Sequence, residues 1–130
     1  MKCLDSSFII DFFRKKPNAI KKADEIKEEK VITTSVNFFE VILGELKVHS
    51  KPDLHLEMAR EFFDRIEVFD ITKSSAFKAA QIGAELSRKG NEINSEDLLI
   101  AGVMLSNGCK DIITADEDFK KIKEINVEKY

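Results

Sequence analysis

The opening stretch Lys2-Cys3-Leu4-Asp5-Ser6-Ser7-Phe8-Ile9-Ile10-Asp11-Phe12-Phe13 constrains the fold more than any other. An apolar start meets one carboxylate, two small hydroxyl residues follow, and the chain then turns strongly apolar. The pattern predicts a short buried strand ending at Asp5, a tight turn at Ser6-Ser7, and a helix beginning near Phe8. An acid at the carboxyl end of the first strand of an α/β sheet stands where such folds bind their ligands. Carboxylates recur at comparable places further along, at Glu40, Asp97 and Asp116.

After the first helix, Pro17 and Asn18 punctuate the chain. Ile20, Ala23 and Ile26 then recur at intervals of three, giving a helix with one apolar stripe. Val31-Ile32-Thr33-Thr34 is a β-branched strand, and Ser35 suits the N-cap of a helix from Val36 to about Lys47. Pro52-Asp53 opens a helix that repeats Leu54, Met58 and Phe62. Glu67 to Ile71 reads as a strand, and Lys73 to Lys89 as a helix with a small-residue face, stopped by Gly90. Asn94 or Ser95 caps a helix running through Asp97 to Leu105 and closed near Asn107-Gly108. Asp111 to Thr114 is a strand, Ala115 to Asp118 a turn, Phe119 to Lys123 a short helix, and Val127 lies in a last edge strand. This alternation predicts one α/β domain over residues 1–130. Its core is a central, mostly parallel, twisted sheet of about four to five strands with helices on both faces.

In a parallel sheet the strand carboxyl ends and the following helix N-termini share one edge. Asp5, Glu40, Asp97 and Asp116 therefore converge although they are far apart in sequence. A helix N-terminus favours a carboxylate by only about 0.3–1 kcal/mol, little against the repulsion among four acids. Such a cluster needs a cation, and oxygen donors without Cys or His point to Mg²⁺ or Mn²⁺ rather than zinc. Taken singly, Asp97 is a common first-turn residue and Glu40 suits an exposed helix face. Together the four favour a site. Asp11 and Glu45 fall short of this edge, and Glu96 and Asp118 are candidate outer ligands.

The net charge of −3 gives no general attraction to nucleic acid. An RNA-binding role needs a local basic face, and Arg14-Lys15-Lys16, Lys21-Lys22, and Lys47 to Lys51 around His49 are the candidates. Cys3 and Cys109 lack metal-ligand spacing and read as reduced core thiols. No apolar run reaches the length of a membrane span and no signal-peptide pattern opens the chain, so a cytoplasmic location is expected. His49 and His55 fall outside every motif and read as surface residues.

Four segments carry a resemblance. They are Leu4 to Ile10, Thr34-Ser35-Val36-Asn37-Phe38-Phe39-Glu40 through Gly44, Ile93-Asn94-Ser95-Glu96-Asp97 through Ala101, and Ile113-Thr114-Ala115-Asp116-Glu117-Asp118-Phe119. In this order and spacing the chain resembles the PIN-domain family, and within it the small VapC-type toxins of toxin–antitoxin pairs. The resemblance implies a three-layer PIN-like fold and a metal-dependent endoribonuclease. The acids matching Asp5, Glu40, Asp97 and Asp116 would hold Mg²⁺ or Mn²⁺. Thr114 would support the first acid, with Ser6 and Asp118 as further supporting residues. Ser7 stands where many relatives carry Asn, and Ala115 where a basic residue is common.

As partners the resemblance implies an RNA substrate and a cognate antitoxin. The early-helix aromatics Phe12, Phe13, Phe38, Phe39, Phe62 and Phe63 suggest a homodimer face or an antitoxin groove. A PIN nuclease of RNA processing, or a non-cutting PIN-like binding module, are the alternatives. Other acid-bearing folds fit less well. A haloacid-dehalogenase-type phosphatase needs an aspartate where Ser7 stands, a receiver domain needs an adjacent acid pair near Asp5, and a serine hydrolase needs a GxSxG elbow.

Overall fold

The computed structural model describes residues 1–48 and 53–130. Strands β1 (Lys2–Leu4), β2 (Val31–Thr34), β3 (Glu67–Phe69), β4 (Asp111–Ile113) and β5 (Asn126–Glu128) form one sheet in the order β3-β2-β1-β4-β5. Every pairing is parallel, in the register Cys3 opposite both Ile32 and Ile112, and Leu4 opposite Ile113. Parallel neighbours require crossover connections, and helices supply them. These are α1 (Ser6–Phe13), α2 (Pro17–Glu25), α3 (Ser35–Val48), α4 (Asp53–Asp64), α5 (Lys73–Arg88) and α6 (Ser95–Ser106), with a 3₁₀ turn at Glu117–Lys121. No described helix is long and apolar enough to cross a membrane.

The two-residue alternation of a strand splits the core into two layers. Cys3, Ile32 and Ile112 face Ile82, Leu86, Ile100, Met104 and Phe119, which come from α5, α6 and the 3₁₀ turn. Leu4 and Ile113 face the other way, onto Phe8, Ile9, Ala19, Val41 and Phe63. Helix α3 serves both layers, through Val36 on one side and Val41 on the other. Both cysteines are buried free thiols, as expected.

Four local expectations are corrected. Helix α1 starts at Ser6 rather than after a Ser6-Ser7 turn, because Asp5 itself takes the extended N-cap conformation. Thr34, not Ser35, caps α3: its Oγ1 accepts the Asn37 N–H at 3.2 Å. Strand β3 stops at Phe69 instead of Ile71. The chain then prepares α5, where Thr72 and Ser75 form a capping box with Ser75 N–H donating to Thr72 Oγ1 at 3.0 Å. The 3₁₀ turn opens at Glu117 rather than Phe119, since Asp116 Oδ1 accepts the Asp118 N–H at 2.9 Å. Gly90 ends α5 with φ +70°, the left-handed conformation that a glycine C-cap adopts without strain.

The early aromatics divide. Phe63 is buried, Phe12, Phe13, Phe38 and Phe62 are half-buried, and Phe39 points outward with 59% exposure. Ring contacts run Phe13–Phe62–Phe63–Phe38 at centroid separations of 5.2, 5.4 and 4.9 Å. The basic run around His49 and Lys51 and the Pro52 helix opening lie outside the described residues.

Candidate active site

The strand order reverses direction between β1 and β4, so the crevice beyond their carboxyl ends is the topological switch point of the sheet. Asp5 follows β1 and Thr114 follows β4. The Asp5 N–H donates to the Ile113 carbonyl at 3.1 Å, which fixes the acid against the neighbouring strand. Its carboxylate is buried and accepts three side-chain hydrogen bonds. Thr114 Oγ1 (2.5 Å) and Ser7 Oγ (3.2 Å) donate to Oδ2, and Asn37 Nδ2 (3.0 Å) donates to Oδ1. Burial pushes the Asp5 carboxyl above its ordinary range, and the hydrogen bonds from Thr114, the Ser6 backbone, Ser7 and Asn37 pull it back.

Thr114 is fully buried and joins two acids. While donating to Asp5, it accepts the Asp116 N–H at 2.9 Å. The Asp116 turn then folds Asp118 back beside it. From the opposite side, Asn94 caps α6: it accepts the Asp97 N–H at 2.8 Å and donates to Asp97 Oδ2 at 3.1 Å. Asp97, Asp116 and Asp118 thereby each offer one carboxylate oxygen within 4.8 Å of the others. Glu40 sits half-buried on α3, accepts from Ser6 Oγ at 2.8 Å, and feels the charges of Asp5, Glu96 and Asp116.

Even at the outer limit of 4.8 Å within this group, two carboxylates repel by about 3–4 kcal/mol at an effective dielectric of about 20. The electrostatics show that cost. Asp97 is pushed up to about 8, first by burial and then by Asp116, Asp5 and Glu40. Glu40 is pushed up as well, mainly by burial. Among the described residues, Lys121 reaches Asp118 at 3.2 Å, while no ion pair joins Asp5, Glu40, Asp97 or Asp116 to a Lys or Arg. A compact group of oxygen donors with unbalanced negative charge suits a hard divalent cation. The residues present fit such an ion.

The four expected acids thus stand on one edge. Asp97 and Asp116 come together, Asp118 joins them directly, and Asp5 and Glu40 flank the group behind a polar network. Ser7 accepts the Ala115 N–H at 3.1 Å, and the Ala115 carbonyl accepts from Lys129 Nζ at 3.2 Å. Asp11 is turned away, bonded to Tyr130 Oη at 2.7 Å and Lys16 Nζ at 3.1 Å. His55 lies on α4 beside Phe12, Phe13 and Met58, away from the acids. Asn37 is the residue that sequence reasoning passed over. Its signal is an amide in the run Val36 to Leu43, apolar except for Asn37 and Glu40, where a buried polar group needs partners.

The PIN domain family model matches residues 2–125. Over 125 residues the chain is 30% identical to the tRNA(fMet)-specific endonuclease VapC of Salmonella typhimurium, covering 96% of this chain and 94% of that protein. The crystal structure of DNA-bound VapBC from Salmonella typhimurium superposes with a TM-score of 0.85 at 29% identity, covering 98% of this chain and 96% of that one. The structure of VapBC2 from Rickettsia felis, bound to a DNA fragment from its promoter, gives a TM-score of 0.86 at 20% identity over 99% and 98% of the two chains, and shares the fold. Sheet order, acidic edge and family match agree: this chain belongs to the PIN-domain family.

Proposed function

We propose that the chain is the toxin ribonuclease of a VapBC-type toxin–antitoxin pair, hydrolysing RNA phosphodiester bonds with Mg²⁺ or Mn²⁺ in the cytoplasm. The observation that carries this reading is the Asp97–Asp116–Asp118 group at the switch point, three carboxylates within 4.8 Å with Asp97 pushed up to about 8. A divalent cation held there supplies charge stabilisation at the scissile phosphate and lowers the pKa of a bound water.

The chain's own residues do the rest. Asp97 and Asp116 are the principal ligands, with Asp118 beside them. Asp5 is oriented by Thr114, Ser7 and Asn37, and adds negative charge that strengthens cation binding. Glu40 accepts from Ser6 and has a carboxyl held above the usual range. In this reading Glu40 takes the proton of the attacking water as its oxygen forms the new P–O bond and the bond to the leaving oxygen breaks. No histidine is required.

The Salmonella relative is named a tRNA(fMet)-specific endonuclease, which makes tRNA the first RNA class to test here. The antitoxin face we assign is the groove of about 360 Å³ lined by Phe12, Phe13, Ile20, Met58 and Phe62. A homodimer face is assigned to the outer side of α3, where Phe39, Leu43 and Leu46 are exposed. The test is regulated expression in a bacterial host. Growth arrest with discrete RNA fragments, both lost in Asp116→Asn, is expected. Arrest that persists undiminished in the variant, or no arrest by folded protein, contradicts the toxin reading.

A further inference from the structure

Asn37 is fully buried in α3, one helical turn before Glu40. Its donors and acceptors can be assigned from chemistry. An ionised carboxylate only accepts, so the amide NH₂ must face Asp5 Oδ1, at 3.0 Å. The amide oxygen then accepts from Thr34 Oγ1 at 2.8 Å. Nδ2 also donates to Ser6 Oγ at 2.9 Å, and Ser6 spends its one hydroxyl proton on Glu40 Oε1 at 2.8 Å. Donation therefore runs one way, from Thr34 through Asn37 and Ser6, and ends on two carboxylates. The capping of α3 does not need this side chain, because Thr34 Oγ1 accepts from the Asn37 backbone N–H. An apolar residue would serve packing alone, as Val36 and Val41 do nearby.

We propose that Asn37 is a positioning residue that sets the mutual orientation of the Asp5 and Glu40 carboxylates, coupling the first strand end to α3. The assignment rests on Asp5 and Glu40 belonging to the nuclease site. Loss of Asn37 leaves Asp5 Oδ1 without its side-chain donor and Ser6 Oγ without the amide that orients it toward Glu40, so both carboxylates shift while the Asp97–Asp116–Asp118 group stays in place.

The test is a double-substitution cycle on the full chain, Asn37→Leu against Glu40→Gln, read in single-turnover RNA cleavage, with Mn²⁺ affinity and crystal structures alongside. Asn37→Leu alone is expected to cut the cleavage rate by about tenfold or more with KM changed less than about threefold, the loss of hydrogen bonds to charged groups. In the Glu40→Gln background the same substitution is expected to cost markedly less, because residues acting through one network are not additive. Equal fold-losses in both backgrounds, or no loss, overturn the proposal. If Asn37→Leu does not fold, Ser6→Ala carries the same cycle, since it removes the hydroxyl that joins Asn37 to Glu40 and leaves the Asn37–Asp5 bond in place. The crystal structures give a readout without activity. Asp5 or Glu40 carboxylates turned from their wild-type orientation support the proposal, and unchanged carboxylates overturn it. A wild type that binds Mn²⁺ yet cuts no RNA, with the carboxylates turned in Asn37→Leu, contradicts the nuclease reading and leaves the positioning role standing.

Discussion

Thr114 Oγ1 donates to Asp5 Oδ2 at 2.5 Å across the β1–β4 junction while accepting the Asp116 N–H at 2.9 Å. One buried hydroxyl thus ties the acid after the first strand to the acid after the fourth. Thr114→Val keeps the shape and removes both bonds. It is expected to lower the cleavage rate by about 10–150-fold, the worth of a hydrogen bond to a charged group. Stability should fall by about 1–3 kcal/mol, because the Asp116 N–H loses its acceptor. Single-turnover cleavage and urea denaturation measure the two effects.

Asp97→Asn should separate function from stability. Asparagine retains an acceptor for Asn94 and removes the charge that Asp116, Asp5 and Glu40 repel. Cleavage is expected to disappear, while the midpoint of thermal unfolding in EDTA rises by about 3–8 °C, the equivalent of about 1–2 kcal/mol. A lower midpoint in EDTA would contradict the repulsion argument.

The same group predicts a pH dependence with a definite sign. The Asp97 carboxyl is raised in the folded chain to about 8, against an ordinary value of 3.8, so the native state binds more protons than the unfolded chain between those values. Cation-free stability attributable to Asp97 must therefore fall as pH rises through that window and level off above it. The unfolding free energy of wild type minus that of Asp97→Asn isolates this residue from groups shifted the other way, such as Glu128 beside Lys2 and Lys22. Saturating Mn²⁺ should reverse the trend, because the ion binds the ionised carboxylates.

Helices α5 and α6 approach each other closely at Gly102. A Cβ there would lie 2.4 Å from the Ser75 carbonyl oxygen and 2.9 Å from the Ala79 nitrogen, both backbone atoms. Gly102→Ala must push the helices apart and should cost about 1–3 kcal/mol or more. Gly83→Ala meets the movable Leu98 Cδ1 at 2.8 Å, and the gain in helix propensity of up to about 1 kcal/mol offsets part of the strain. Urea midpoints of the two variants should differ accordingly.

The sheet and its acidic edge were legible because short β-branched runs alternate with 3.6-period stripes, and because Asp5, Asp97 and Asp116 sit beside strand ends or helix starts. Local caps were less legible. Ser6-Ser7 and Thr34-Ser35 each offer adjacent hydroxyls, and only the backbone decides that Asp5 and Thr34 take the cap positions. Asn37 escaped because its partners Asp5 and Ser6 lie 32 and 31 residues earlier in the chain. Asp118 gained importance through the Asp116 turn, a local hydrogen bond that spacing alone does not reveal. The aromatic surplus was part core and part surface, a division set by how α4 lies against α1 and α3.

Cleavage of a panel containing tRNA and other structured RNAs by purified protein, with Mn²⁺, with Mg²⁺ and with EDTA, beside Asp97→Asn, tests the central claim most directly. Discrete cuts that need the cation and vanish in the variant are the predicted result. Cuts that persist in EDTA or in Asp97→Asn, or a wild type that binds neither ion, would contradict it.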